Sequence, residues 1–417
     1  MFQKNKFQKG YYAGHQKESD MSLLFSPVSI GNITIPNRII RSATYEGMAG
    51  EDGTVTTDLL NCYQNLARGR VGLIIAGYMY IHKTGRSMKF QTGIHDEKMV
   101  PGLRKLTDTV HKHDGKIVFQ LNHAGRQTEK RLIGETPMAP SSKGRDPANF
   151  VKPRRMNDND MAKVVEWFAA AASRAVSAGA DGIQLHAAHG YLLNQFLSPY
   201  FNRRADAWGG SDEKRFRMMK SVIVAVKKEM PDWMPLLVKM NAVDYTPGPG
   251  ITPEIAARYA GWMEDLGVSL IEVSCGCALY SFMSMCRGDV PIKQLVGGLP
   301  FWKRPIGRIM LRIMAGGFDF KEGYNVAAAR IVKDAVKKIP VAVVGGIRRL
   351  HQMEEILEKG DADLVSMSRP FIREPFLVKR LFEGRREEAG CVSCNRCLAA
   401  AATGKQVKCY YRADSFR

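Results

Sequence analysis

No stretch of the 417-residue chain is apolar for long enough to span a bilayer, so no transmembrane helix is expected. The first twenty residues lack the apolar centre of a secretory signal; they read as a disordered extension, or as an upstream start ahead of Met21. No G-x-G-x-x-G follows the first predicted strand, which counts against an open dinucleotide-binding sheet. No internal repeat and no long linker divides the chain. The 61 lysines and arginines outnumber 41 acids and leave a net charge of +20. They form no long basic block, no stripe interleaved with aromatics and no nucleic-acid motif. The surplus therefore reads as a solvated basic surface suited to an anionic cofactor or a phosphate-bearing acyl substrate, with neither nucleic acid nor membrane as partner.

What is present is a regular alternation of short apolar runs and helical segments. The runs lie near Arg38, Leu73, Ile117, Ile183, Leu236, Ile271, Val341 and Leu364. Helical patterns fall between most of them, at Thr57–Arg68, Gly102–His113, Asp160–Ala178, Tyr324–Lys337 and Leu350–Glu358. Eight strands alternating with helices predict an α/β fold, a closed (β/α)8 TIM barrel over residues 21–376, with a cysteine-rich extension over 377–417. A small hairpin, Val28–Ile35, would plug the bottom. The loop Pro137–Ser142 and the charged segment up to Arg155 read as an excursion over the mouth. The Met-, Gly- and Trp-rich stretch between Cys277 and Phe320 reads as core filler, a shield over the site or an oligomer contact, and is expected to set substrate choice.

The barrel rule puts chemistry at the carboxyl ends of the strands. The strand Asp181–His186 ends in His186, with His189 and Tyr191 just beyond it. A lone histidine near a strand end is usually structural. Two imidazoles and a phenol within six residues there favour acid–base or hydrogen-bonding chemistry. The last two strands end in Gly345-Gly346 and Ser368-Arg369, where the same rule places a phosphate site. The glycines let backbone amides close on phosphate oxygens, and Arg369 adds charge. Lys239, inside an apolar strand, requires an anion or water.

The stretch His186–Arg217, HAAHGYLLNQFLSPYFNRRADAWGGSDEKRFR, resembles the signature of the Old Yellow Enzyme family of FMN-dependent NADH:flavin oxidoreductases, in the branch that includes bacterial 2,4-dienoyl-CoA reductases. The resemblance covers about Leu23 to Pro375. It implies FMN as cofactor and NAD(P)H as donor, with Ser42, Ala43 and Thr44 on the flavin ring and Gln120 on its pyrimidine edge. Lys239 would face N1 and O2 of the flavin; Gly77, at the end of the second run, is counted with this set. It implies that His186 and His189 hold the carbonyl of an α,β-unsaturated small-molecule substrate while Tyr191 protonates the α carbon. The family often has glycine at the position of Ser368, so main-chain phosphate binding there depends on a backbone that accepts a Cβ.

Cys391, Cys394, Cys397 and Cys409 give C-x2-C-x2-C-x11-C. The segment resembles the iron–sulfur segment of dienoyl-CoA reductases and trimethylamine dehydrogenases, with the third spacing one residue shorter. A [4Fe-4S] cluster, a zinc site and unligated thiols all stay open. The chain stops eight residues after Cys409, so the FAD and NAD(P)H domains of the larger enzymes are expected to be absent and a cluster would exchange electrons with another protein. A cytoplasmic homo-oligomer is the expected setting. The rival readings are a flavin and iron–sulfur dehydrogenase or demethylase run oxidatively with an external carrier, and a non-catalytic flavin redox sensor.

Overall fold

The computed structural model describes residues 22–142, 144–145, 151–297, 301–315 and 318–411. The extension expected over residues 1–20 and part of the mouth excursion lie outside the described residues. Eight parallel strands close into a barrel: β1 (Ile39–Arg41), β2 (Leu73–Ile75), β3 (Ile117–Asn122), β4 (Gly182–Ala187), β5 (Leu236–Val243), β6 (Leu270–Cys275), β7 (Val341–Val344) and β8 (Leu364–Met367). Each pairs with the next in sequence and β8 pairs with β1, so the barrel leaves no open edge between them. Around it lie α1 (Thr57–Arg68), α2 (Val100–His111), α3 (Asp158–Ser177), α4 (Asp212–Lys228), α5 (Pro253–Asp265), α6 (Val326–Ala335), α7 (Leu350–Glu358) and α8 (Leu377–Phe382).

Local chemistry explains where the helices begin. Thr56, Asn157, Ser211 and Thr252 stand just before α1, α3, α4 and α5, and each side chain accepts an amide N–H from the first turn. At α3 the Asp160 carboxylate returns a bond to the Asn157 amide and completes a capping box. Three helices differ in their bounds from the sequence expectation; α3 spans Asp158–Ser177 rather than Asp160–Ala178, starting where Asn157 caps it. α2 spans Val100–His111 rather than Gly102–His113, because Pro101 fits a first turn that has no use for its missing N–H. α6 spans Val326–Ala335 rather than Tyr324–Lys337. Beyond its end the amides of Lys337, Lys338 and Ile339 turn to the Glu264 carboxylate instead of continuing the helix.

The barrel strands are buried on both faces, which is why they read as continuous apolar runs. Outward residues such as Phe119, Leu185, Val238 and Val273 pack against the helices in the main core. Inward residues form layers. The lowest is apolar, built from Ile40, Leu73, Val118, Leu237, Leu270 and Leu364, and is closed from below by Ile30, Ile33 and Ile35. These last three belong to the hairpin Val28–Ile30 and Ile33–Ile35, the predicted plug. Its turn needs Gly31, at φ +55°, where a Cβ would meet Ser269 Oγ at 3.1 Å. Above this dry floor, inward positions of several strands turn polar towards their carboxyl ends.

Candidate active site

Above the apolar floor, alternation brings Gln120, Gln184, Lys239, Glu272 and Ser366 into one inward layer, all of them buried. Strand register sets the neighbours: Gln120 is level with Gln184, and Lys239 with both His186 and Glu272. Gln120 Nε2 donates to Gln184 Oε1 at 2.6 Å, and Gln184 Nε2 donates to Glu272 Oε2 at 3.0 Å. Lys239 Nζ donates to Ser42 Oγ at 2.6 Å and lies 3.5 Å from Glu272 Oε1. Burial pulls the Lys239 ammonium below its ordinary value, and the Glu272 carboxylate opposes that shift. Among the described residues, Gln120 Oε1, Ser366 Oγ and both polar atoms of Asn122 are buried without a partner. An orphaned buried polar atom costs about 1–3 kcal/mol. The layer is therefore incomplete as it stands, and it calls for a ligand carrying donors and acceptors.

The next inward positions carry His186 and, past the end of β4, His189 and Tyr191. The two imidazole centroids are 5.0 Å apart, and the Tyr191 ring is 4.8 Å from His186. His189 takes φ +62° and is held there at three points. Its N–H donates to Asn241 Oδ1, its carbonyl accepts from Gln127 Nε2, and its Nε2 pairs with Ser274 Oγ at 2.8 Å. His186 Nδ1 accepts the Ala188 amide at 3.4 Å, which places its own proton on Nε2. Burial lowers both imidazoles well below 6.5; His189 and Lys239 deepen the effect at His186, and Lys239 does so at His189. They are neutral N–H donors at pH 7. Burial, with Tyr78 beside it, holds the Tyr191 phenol well above its ordinary value, so it keeps its proton.

Tyr78 escaped the sequence reading. Its ring lies 5.3 Å from that of Tyr191 and 5.9 Å from His186, with Tyr45 beyond at 6.3 Å. It follows β2 on the far side of the mouth, and no spacing links it to residue 191. Gln184 and Glu272 were also missed, although a carboxylate in an apolar strand carries the same signal that drew attention to Lys239.

At the ends of β7 and β8, Gly345, Gly346, Ser368 and Arg369 line one cavity with Tyr324, Arg348 and Cys391. Gly345 and Gly346 have φ +138° and +68°, and a Cβ on Gly346 would fall 2.3 Å from the Lys321 carbonyl. Ser368 has φ −114°, an ordinary conformation for a residue with a Cβ, so serine fits where the family often has glycine. Arg369 faces two ways. It lines this cavity, and its Nη1 donates to Asn395 Oδ1 at 2.7 Å and to the Arg287 carbonyl at 3.0 Å. Of the remaining predicted contacts, Ala43 packs on the apolar floor and Thr44 Oγ1 donates to the Ser42 carbonyl. Gly77 is pressed against the Thr44 carbonyl, where a Cβ would come within 2.4 Å, and its amide donates to Tyr63.

The tail closes over this end. Cys391, Cys394, Cys397 and Cys409 surround a second hollow, which Arg369 also lines. Among the described residues no group of three or more His, Cys, Asp or Glu side chains is placed to hold a metal ion. Burial pushes Cys391 upward and Cys397 to about 11, against the pull of Arg369.

With this geometry in hand, the sequence matches the NADH:flavin oxidoreductase / NADH oxidase family over residues 23–284 and 312–388. The chain belongs to this family. It is 35% identical over 377 residues to an NADH oxidase of Thermoanaerobacter brockii, covering 89% of this chain and 52% of that protein. It is 32% identical over 391 residues to a 4,4'-dithiodibutanoate disulfide reductase of Rhodococcus erythropolis, covering 91% of this chain and 93% of that one. The chain thus spans about half the length of some curated relatives and nearly all of others. A 2-naphthoyl-CoA reductase has the same fold, with TM-score 0.81 at 23% identity over 93% of this chain and 56% of its own. So does an Old Yellow Enzyme homologue of Zymomonas mobilis, with TM-score 0.71 at 23% identity over 89% of this chain and 95% of its own.

Membership places the chain in a family of FMN-dependent oxidoreductases that use NAD(P)H, and the residues present fit that cofactor. The flavin pyrimidine edge offers the donor and acceptors that Gln120 Oε1 and its neighbours lack. Lys239 supplies positive charge, and the cavity at Gly346 and Arg369 suits a phosphate.

The depressed imidazoles set a stability signature. Besides His186 and His189, burial holds His123 at about 3 and His95 at about 4. In the unfolded chain each takes a proton near pH 6.5. Below that pH the unfolded state binds more protons, so their contribution is fully present above about pH 6.5 and is lost as pH falls towards 3. The melting midpoint is expected to drop between pH 7.5 and pH 5, less steeply in His123→Asn; a midpoint flat across that range would contradict these assignments.

Proposed function

We propose that the chain passes hydride from NAD(P)H through FMN to an activated alkene, an α,β-unsaturated carbonyl or enoyl thioester. The observation that carries this reading is the convergence of two neutral imidazoles and a protonated phenol directly above the Lys239 and Gln120 layer. Bound FMN supplies a two-electron carrier that accepts hydride from one substrate and releases it to another. Ser42, Gln120 and Lys239 would hold its ring, and Gly345, Gly346, Ser368 and Arg369 its phosphate. His186 and His189 then donate N–H hydrogen bonds to the substrate carbonyl oxygen, drawing electron density from the conjugated double bond. Because neither imidazole is charged, they polarise the carbonyl without adding a proton to it. Tyr191 gives its phenolic proton to the α carbon as the β carbon receives hydride.

The tail supports a second part of the reading. Four thiols lining one hollow, at a spacing that resembles an iron–sulfur segment and beside Arg369, suit a [4Fe-4S] cluster that exchanges electrons with a separate carrier protein. None of the eight cysteines is paired in a disulfide, as a reducing, cytoplasmic setting allows.

Two experiments address these claims. In rapid-mixing measurements of the separate half-reactions, Tyr191→Phe is expected to leave flavin reduction by NAD(P)H near wild type and to slow enone reduction by about 10²-fold or more; equal loss in both would remove Tyr191 from its role. Protein prepared without oxygen should carry iron and acid-labile sulfide that Cys394→Ser abolishes. Zinc alone, or no metal at all, would remove the cluster.

A further inference from the structure

The connection between β6 and α6 carries a twelve-residue helix, Arg304–Ala315, that the barrel does not require. Most of it lies in the gap between the two stretches that match the family. From Val290 to Phe318 the sequence holds no Asp or Glu and five basic residues: Lys293, Lys303, Arg304, Arg308 and Arg312. On the helix, Arg304, Arg308 and Arg312 recur every four residues along one face. Ile306, Ile309 and Met310 follow i, i+3, i+4 spacing on another. Gly307 and Leu311, between the two, are the half-buried positions that seat it on the fold.

The apolar face looks into water. Ile306 is 64% exposed, Ile309 58% and Met310 49%, and the turn that leads into the helix adds Phe301 at 80% and Trp302 at 62%. Lys303 lies 4.8 Å over the Trp302 ring. Contiguous exposed apolar groups of this size mark a contact surface. A second copy of the chain is a poor occupant, since an isologous contact sets the same cationic segment, itself without acids, against its own copy. The occupant must accept aliphatic and aromatic groups beside a row of guanidinium charges. An anionic lipid surface meets each condition, because apolar side chains enter the acyl boundary while arginines stay among the headgroups.

We propose that Phe301–Ala315 is a membrane-surface anchor that seats this protein on anionic lipid bilayers. No helix among the described residues is long and apolar enough to cross a membrane, so the contact runs along the surface. The basic residues are scattered over the sequence as a whole and pointed to no membrane partner; folding gathers several of them beside an apolar face. Attraction to the headgroups draws the helix in, and apolar burial holds it. The proposal does not rest on the flavin reading.

The test is flotation of the full chain with vesicles of phosphatidylglycerol and, separately, of phosphatidylcholine, at low and high salt. Wild type is expected to float with phosphatidylglycerol at low salt and to release as salt rises. Ile306→Asp with Ile309→Asp, and separately Arg308→Gln with Arg312→Gln, are expected to weaken binding by roughly tenfold or more. Circular dichroism and melting temperature of both variants should match wild type, so that lost binding is not lost folding. In the wild type, Trp302 emission should shift to the blue on binding, read as the difference from Trp302→Phe. Three results would overturn the proposal: no flotation with phosphatidylglycerol, binding to both lipids that the Ile306 and Ile309 changes leave intact, or a drop in oligomeric mass in those variants without vesicle binding. The last would assign the face to protein association instead.

Discussion

An ammonium group inside an apolar barrel constrains everything around it. Lys239 sits one layer above a floor of aliphatic side chains and meets Ser42 and Glu272. A buried charge is tolerated only with partners, and Glu272 in turn needs Gln184, which needs Gln120. The row therefore spans four strands, β3, β4, β5 and β6, reaches Ser42 just past β1, and fixes each of these side chains by hydrogen bonding rather than by shape. It still leaves Gln120 Oε1 and its polar neighbours without partners. Those vacant bonds, beside a fixed positive charge, suit a planar heterocycle that gains negative charge on reduction.

The same ammonium reinforces the state of the groups above it. Burial keeps His186 and His189 neutral donors, and the charged lysine beside them adds to that effect. Tyr191, in a site this dry, keeps its proton. In the proposed reaction, charge in the lower layer serves the cofactor and the neutral hydrogen-bond donors of the upper layer serve the substrate. Arg369 extends this economy to the far end of the site, where one guanidinium lines both the phosphate cavity and the thiol hollow.

Much of this was legible in the sequence because the barrel buries its strands on both faces. That makes each a continuous apolar run, and any polar residue inside it conspicuous. Lys239 stood out for that reason, as did the paired histidines where β4 ends, whereas Gln120 was given only by the family resemblance. Glu272 carried the same signal inside Leu270–Cys275 and was passed over. Tyr78 could not have been found this way, since its relation to Tyr191 arises only when opposite sides of the mouth meet. The helix ends at Pro101 and near Lys337 depended on a proline at a first turn and on a distant carboxylate, Glu264. The Arg304–Ala315 helix did show 3.6-residue periodicity, hidden within a stretch that looked merely rich in methionine and glycine.

The central claim is that the buried polar row seats the flavin. It is tested most directly by titrating FMN into flavin-free protein, following the quenching of FMN fluorescence, for wild type and for Gln120→Ala. The account predicts one FMN per chain, bound at least about tenfold more weakly by the variant, which corresponds to roughly 1.4 kcal/mol. Protein that takes up no FMN, or a variant that binds it as tightly as wild type, would contradict it.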